Sequence, residues 1–175
     1  MARDLRYFAY GTLQRDFSNY ERFAGDLGEP LGRYRTVEPF LLVVPREEAC
    51  TNPGCGYVHR MGVLLPDAGD GHCVEGELFA IEPGALAALD ELESAYVRRR
   101  TPVEPLDGGE PVEAEVYYVA DAAPWRALLA AGAAAAVARY ERAYADGPLK
   151  QCCVRRPGHD GPHDIVPLSL HGLAP

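Results

Sequence analysis

The sequence predicts an α+β fold in which about six short strands form a curled mixed sheet or a small barrel. Six runs rich in β-forming residues recur along the chain, and Pro and Gly separate them. Long helical segments are missing between most of these runs, which argues against a doubly wound parallel sheet. The length of 175 residues is typical of one domain with an appendage.

The predicted strands all lie in the first 120 residues. They cover residues 3–9, 36–44, 57–65, 73–81, 97–104 and 112–119. The first strand runs directly into Tyr10-Gly11-Thr12-Leu13, where glycine is typical of a tight turn at the end of a strand. We call these four residues the YGTL loop.

Two helices are predicted. The first runs from Pro83, a residue favoured in the first turn, to Tyr96, and it places Leu86, Leu89, Glu93 and Tyr96 on one face. The second covers residues 124–145 within the segment 121–148, begins after a capping Asp121 and stops at a Gly-Pro pair. Residues 149–175 are predicted to form an irregular tail without a core of their own.

Charge and composition exclude several classes of partner. The formal net charge is −9, from 17 Lys and Arg against 26 Asp and Glu, and it opposes nucleic-acid binding. The N-terminus has no apolar signal region, and no run reaches the roughly 20 apolar residues of a membrane span. We therefore expect a soluble, cytoplasmic protein without a membrane partner. Five cysteines without a secretory signal argue against a disulfide framework.

Glu93 is the sharpest catalytic candidate. Its helical neighbours Leu89 and Tyr96 would desolvate the carboxylate and raise its pKa, which suits proton transfer near neutral pH. Asp90, three residues earlier, would raise that pKa further if both carboxylates faced inward. The alternative is that Glu93 lies at the edge of the apolar face and points to water, because acidic residues are rarely fully buried.

The YGTL loop is the second candidate. Gly11 permits a backbone conformation that exposes successive N–H groups at the end of the strand, which makes a concave site for a carboxylate. The alternative is a plain β-turn.

Several further segments accompany these two features in a fixed order. They are Phe8-Ala9-Tyr10-Gly11-Thr12-Leu13 with Asn19, Gly32 with residues 36–44, residues 74–81 (VEGELFAI), residues 89–94 (LDELES) and Tyr96-Val97-Arg98. Over roughly residues 5–119 this order resembles the γ-glutamylcyclotransferase superfamily, in particular its γ-glutamylamine cyclotransferase (AIG2-like) branch. The resemblance implies a small mixed β-barrel with flanking helices, and a catalytic domain over residues 1–120.

The resemblance also implies roles for individual residues. The YGTL loop would offer backbone amides to a γ-glutamyl group, and Glu93 would be the general acid and base. Asn19, Tyr96 and Arg98 are further substrate-binding candidates, and Arg98 would brace Glu93 or the substrate carboxylate. The alternative for Arg98 to Arg100 is a solvated edge strand.

The implied reaction is intramolecular. A γ-glutamyl amide carries its own nucleophile, the α-amine, which closes a five-membered lactam, so the enzyme has to hold the chain bent and move protons. The products are 5-oxoproline and a free amine, and no cofactor is required. Members of the family also remove a γ-glutamyl protecting group during antibiotic biosynthesis. The resemblance therefore does not identify the amine that the substrate would release.

Cysteine and histidine residues cluster in an inserted segment and in the tail. The spacing of the two clusters allows one shared tetrahedral zinc site, which would pin the tail to the inserted segment. The alternative is free thiols and surface histidines, since neither cluster has a tight CxxC pair. The candidate ligands are Cys50, Cys55, His59, Cys152, Cys153, His159 and His163.

Two other function classes compete with the enzyme. One is a non-catalytic binding module that keeps the YGTL pocket for a glutamyl-like ligand or a protein partner. The other is a zinc-stapled interaction protein whose tail is the functional part. An acidic residue at position 93 favours the enzyme, because a pocket for an anionic ligand gains nothing from a buried carboxylate.

Overall fold

A computed structural model describes most of the first 145 residues. The described residues are 5–15, 17, 20, 27–46, 48–50, 62–94, 96–145 and 165–167. The strands are β1 (Leu5–Ala9), β2 (Pro30–Thr36), β3 (Leu42–Pro45), β4 (Glu48–Cys50), β5 (Val63–Leu64), β6 (Glu75–Ile81), β7 (Tyr96–Pro105), β8 (Val112–Val119), β9 (Ala134–Val137) and β10 (Ile165–Pro167). The helices are α1 (Pro83–Leu92), α2 (Ala123–Ala130) and α3 (Arg142–Ala145).

Five strands form a closed barrel in the order β1-β6-β2-β7-β8. Neighbouring strands within this order pair antiparallel, and the parallel contact of Tyr7 in β1 with Glu115 in β8 closes the barrel. Closure satisfies the backbone groups that an open sheet leaves at its edges. The structure therefore confirms the predicted mixed α+β barrel.

Two smaller sheets lie outside the barrel. In one, β3 pairs antiparallel with β5 and with β9. In the other, β10 of the tail pairs antiparallel with β4, and Ile165 lies opposite Cys50. The tail thus contributes a strand that joins it to the inserted segment, although the sequence predicted only irregular structure there.

Three groups of buried side chains hold these elements together. Phe8, Leu78 and Tyr118 belong to the group inside the barrel, where each is at most 1% exposed. A second group packs α1 against β1 and β6, and a third packs α2 against β3 and β5. Each large apolar side chain buried in this way contributes about 1.5–3 kcal/mol. The second group matters most for function, because it fixes the end of α1 over the barrel.

The sequence did not predict β2, and it placed one strand over residues 36–44. The structure divides that region between β2, which ends at Thr36, and β3, which begins at Leu42. The sequence of β2 does not resemble a strand, because Pro30 and Gly32 are both typical of turns. Here they flank a bulge, where the register against β6 shifts and Gly32 has a φ of +126°.

Both predicted helices are too long. The first ends at Leu92, and Tyr96 is the first residue of β7 rather than part of the helix. The predicted helix over residues 124–145 breaks after Ala130, and its last four residues form the separate short helix α3. Gly132 (φ +70°) donates to the Leu129 carbonyl and Ala133 to the Leu128 carbonyl, which ends α2 in a Schellman motif. Pairing with β3 then holds the alanine run in β9, so tertiary contacts override its helix propensity.

Among the described residues, none of the helices is long and apolar enough to cross a membrane.

Candidate active site

A cavity of about 250 Å³ opens where β1 ends and α1 passes into β7. It brings together six residues that the sequence singled out: the four of the YGTL loop, Glu93 and Tyr96. Its lining consists of Tyr7, Tyr10, Gly11, Thr12, Leu13, Gly62, Leu92, Glu93, Tyr96 and Tyr117.

The end of α1 places Glu93 in this cavity. The Glu93 N–H donates to the Leu89 carbonyl at 2.8 Å, which completes the last helical turn. The Glu93 carbonyl in turn accepts from the Tyr96 N–H at 2.8 Å, and this contact turns the chain into β7. Glu93 is therefore fixed on both sides by backbone hydrogen bonds, and rigid elements hold the carboxylate.

Burial dominates the electrostatics of Glu93. Desolvation raises the pKa of its carboxyl to about 7. Burial also raises the pKa of Tyr7 and of Tyr10 well above the usual value, and the nearby Glu93 adds to both effects. A carboxyl group that titrates near neutral pH can accept and return a proton within one catalytic cycle.

Asp90 does not act on Glu93 as the sequence suggested. Its carboxylate accepts from Arg98 at 2.8 and 3.1 Å and from the Tyr117 hydroxyl at 2.7 Å. Burial alone would raise the pKa of Asp90, but these hydrogen bonds outweigh it and hold the pKa below the usual value. The raised pKa of Glu93 thus comes from desolvation and not from a like charge.

Arg98 faces a different set of partners from those predicted. Besides Asp90, its guanidinium contacts Glu115 at 2.8 Å, and Glu115 also accepts from Arg100 at 3.0 Å. Arg98 is not among the residues that line the cavity. Arg98 and Arg100 share one face of β7, as alternation along a strand requires. The Arg98 guanidinium, which was expected to brace Glu93 or the substrate carboxylate, contacts Asp90 and Glu115 in the structure.

Tyrosine side chains form much of the cavity wall, and sequence reasoning missed Tyr7. The Tyr10 hydroxyl donates to the Tyr117 carbonyl at 2.7 Å. The Tyr7 ring packs edge to face on that of Tyr117, with centroids 6.0 Å apart. The neighbouring residues Tyr117 and Tyr118 are both buried, Tyr118 against Phe40 and Tyr117 beside the cavity. Tyr7 lies in β1, and no local pattern distinguishes it from the other residues of that strand.

Gly11 leaves room at the loop. Its φ is not in the positive region, and a Cβ at this position would meet no atom within 4 Å. The glycine is therefore not required by the backbone of the turn itself. The open space at the Cβ position leaves room for a ligand to approach the loop closely.

Some predicted site residues lie outside the described residues. Asn19 is one, and so are six of the seven candidate zinc ligands; Cys50 is described only as part of β4. Among the residues that the structure does describe, no three His, Cys, Asp or Glu are grouped to hold a metal ion. The zinc site stays a prediction from the sequence.

Comparison of the sequence with known proteins identifies the family of this chain. The family model described as "Gamma-glutamyl cyclotransferase, AIG2-like" matches residues 7–134. The gamma-glutamylaminecyclotransferase of Mus musculus is 34% identical over 129 residues, which are 67% of this chain and 79% of that protein. A relative from Arabidopsis thaliana is 37% identical over 101 residues, and the match spans about half the length of that protein (47%).

A solved structure shows the same fold. The crystal structure of an AIG2-like protein from Mus musculus superimposes with a TM-score of 0.62 at 28% sequence identity, and the match covers 90% of this chain and 98% of that chain. The matched residues 7–134 contain every described residue that lines the cavity. This chain therefore belongs to the gamma-glutamyl cyclotransferase, AIG2-like family of cyclotransferase enzymes.

Proposed function

We propose that the chain is a γ-glutamylamine cyclotransferase that releases 5-oxoproline and a free amine from a γ-glutamyl amide. One observation carries the proposal: a carboxyl group with a pKa of about 7 shares a cavity with the YGTL loop. A γ-glutamyl amide holds both reacting groups in one molecule, so a folded-back pose and one proton shuttle are sufficient.

The reaction balances with Glu93 as the only proton carrier. Ionised Glu93 takes a proton from the substrate α-ammonium, and the freed amine attacks the γ-carbonyl carbon. The new C–N bond closes the lactam ring, and the bond to the leaving nitrogen breaks as Glu93 returns the proton there. The second proton, from the attacking nitrogen, follows the same route and leaves with the amine. No cofactor enters these steps.

The aromatic wall supports this chemistry. Tyr7, Tyr10 and Tyr117 are each at most 8% exposed, so they limit the access of water to one side of the cavity. Exclusion of water favours ring closure over hydrolysis and strengthens the hydrogen bonds within the site. It also causes the raised pKa of Glu93, since the carboxylate loses part of its hydration.

The identity of the amine is set at the open side of the cavity. Leu92 lines the cavity and is 38% exposed, so it offers an apolar surface that the leaving group can contact. The substrate class that we propose is thus a γ-glutamyl amide, and γ-glutamylated biosynthetic intermediates fall within it.

The test is incubation with a panel of γ-glutamyl amines, glutathione included, with mass-spectrometric detection of 5-oxoproline. We expect release from at least one member of the panel and none with Glu93→Gln. Saturable binding of the panel without any 5-oxoproline would overturn the proposal in favour of a binding module.

A further inference from the structure

Gln14 follows the YGTL loop directly and is a buried polar side chain, with 2% of its surface exposed. Its Nε2 group donates to the carbonyl oxygens of Tyr10 and Gly11, both at 3.1 Å. Its Oε1 atom accepts from Nη1 of Arg33 in β2 at 3.4 Å. The amide thus links the loop to a strand of the barrel.

Peptide geometry gives this contact a consequence for the cavity. A peptide unit is planar and trans, so the carbonyl of one residue and the N–H of the next point in opposite directions. Gln14 draws the carbonyls of Tyr10 and Gly11 toward itself, and the N–H groups of Gly11 and Thr12 therefore point away from it. Gly11 and Thr12 line the cavity that contains Glu93, whereas Gln14 lines a separate cavity of about 350 Å³.

We propose that Gln14 is a positioning residue, which fixes two peptide planes so that the N–H groups of Gly11 and Thr12 face the γ-glutamyl group. The inference rests on the proposed function for the identity of the ligand. It assigns the orientation of the loop to a side chain that does not itself line the active cavity.

The charged groups around Gln14 explain why a neutral amide suits this position. The N–H of Arg15 donates to Glu77 of β6 at 2.8 Å, and Glu77 is 4% exposed. The other Nη group of Arg33 contacts Glu75 at 3.4 Å. An amide offers donors toward the two carbonyls and an acceptor toward Arg33. A carboxylate would face two carbonyl oxygens, and an ammonium group would face a guanidinium.

The first test compares Gln14→Ala with the parent chain. Loss of the hydrogen bonds should raise KM for a γ-glutamyl amide about tenfold, the effect of about one net hydrogen bond. Because Glu93 is untouched, kcat should stay within about threefold. Arg139→Gln is the matched control: Arg139 lines the same second cavity and is exposed, so we expect an unchanged KM.

The pH dependence of kcat/KM in Gln14→Glu distinguishes positioning of the loop from a purely structural role. Its carboxylate repels the two carbonyls, but protonation restores one donor. The ratio of kcat/KM in the variant to that in the parent should therefore rise as pH falls from about 8 to about 5. Taking the ratio removes the contribution of Glu93, which titrates in both proteins.

Backbone amide NMR separates this inference from the proposed function. In folded Gln14→Ala, the Gly11 and Thr12 amide signals should shift and lose their response to added 5-oxoproline, whereas Arg139→Gln should behave as the parent. If the parent turns over no substrate, the proposed function fails and the shifts of the two amides still decide the role of Gln14. Unchanged KM and unchanged amide signals in Gln14→Ala overturn the inference. Should that variant not fold, a flat pH ratio for Gln14→Glu overturns it.

Discussion

At the scale of single residues, the cost of burying Glu93 and its use in proton transfer have the same origin. Desolvation moves the pKa of this carboxyl from 4.5 to about 7. At neutral pH the group exists in both protonation states, and the proposed reaction needs both. The same burial makes the ionised form unfavourable in the folded protein.

Glu93→Gln should abolish turnover and leave the fold intact. Glutamine has nearly the same shape but cannot carry a proton, so 5-oxoproline release should fall by about 10²-fold or more. The measurement is 5-oxoproline by mass spectrometry on protein with a parent-like circular dichroism spectrum. Retention of more than about a tenth of parental activity would remove Glu93 from the mechanism.

The stability of Glu93→Gln should depend on pH with a defined sign. The folded-state pKa is raised, so protonated Glu93 favours folding below about pH 4.5, and this contribution is lost as pH rises through about 7. Above that range the variant should be more stable than the parent by up to about 3 kcal/mol, and near pH 4 the two should converge. Urea denaturation at pH 4, 6 and 8 measures the difference. A gap that does not change with pH would contradict the raised pKa.

Gly11→Ala tests whether substrate approaches the loop closely. A Cβ at this position meets no atom within 4 Å and the backbone φ is not positive, so the free energy of unfolding should change by less than about 1 kcal/mol. The added methyl group would occupy the open space beside the loop and should weaken binding of a non-reacting γ-glutamyl amide. Calorimetric titration of parent and variant decides: equal affinity would mean that the loop is only a turn.

At the scale of elements, α1, β7 and β8 meet in an ionic network beside the cavity. Asp90 of α1, Arg98 of β7 and Glu115 of β8 are joined by hydrogen bonds of 2.8 to 3.1 Å. Asp90 also accepts from Tyr117, a residue of the cavity wall. The network therefore holds α1, the helix that Glu93 follows directly, against the strands that supply the aromatic wall.

Arg98→Gln should lower stability more than it affects chemistry. The side chain of Glu115 is 7% exposed and, of its two partners among the described residues, would keep Arg100, so we expect a loss of about 1–3 kcal/mol. Activity at saturating substrate should fall less than in Glu93→Gln, because Arg98 does not line the cavity. Arg126→Gln, whose partners Asp67 and Asp70 are exposed, is the matched control and should cost little. A large rise in KM at unchanged stability would instead return Arg98 to the substrate site.

Several element boundaries and some short strands could not be predicted from the sequence. The strand over residues 112–119 and the start of α1 at Pro83 follow from local patterns, and the structure has both where they were predicted. The break of the second helix at Gly132 and the pairing of the alanine run with β3 depend on contacts far apart in sequence. Alanine favours helix locally, so only the tertiary contact decides its conformation.

At the scale of the whole molecule, the sequence predicted the main cavity residues better than it predicted the surrounding network and the tail strand. The YGTL loop and Glu93 lie 80 residues apart in sequence and share one cavity, as the order of motifs indicated. Tyr7 and the network partners of Arg98 carried no local signal, since their roles arise from the barrel closure and from cross-strand neighbours. The short strand of the tail was equally unpredictable, because three residues do not specify a register.

The pairing of β10 with β4 bears on the predicted zinc site. It joins backbone segments from the two parts of the chain that contain the seven candidate ligands. If those ligands share one ion, purified protein should hold about one equivalent of zinc, and chelation should lower the melting temperature because metal binding contributes folding free energy. Turnover should persist at least in part, since Glu93 and the YGTL loop are held by the barrel and α1.

Elemental analysis and thermal melts with and without EDTA make this measurement. Cys153→Ser should lose the metal, whereas Cys73→Ser, a change next to β6 outside both clusters, should keep it. Metal-free protein whose melting temperature does not change in EDTA would identify the clusters as free thiols and surface histidines. That outcome would leave the strand pairing as the sole described link between the tail and the inserted segment, and the chemistry at Glu93 would not depend on it.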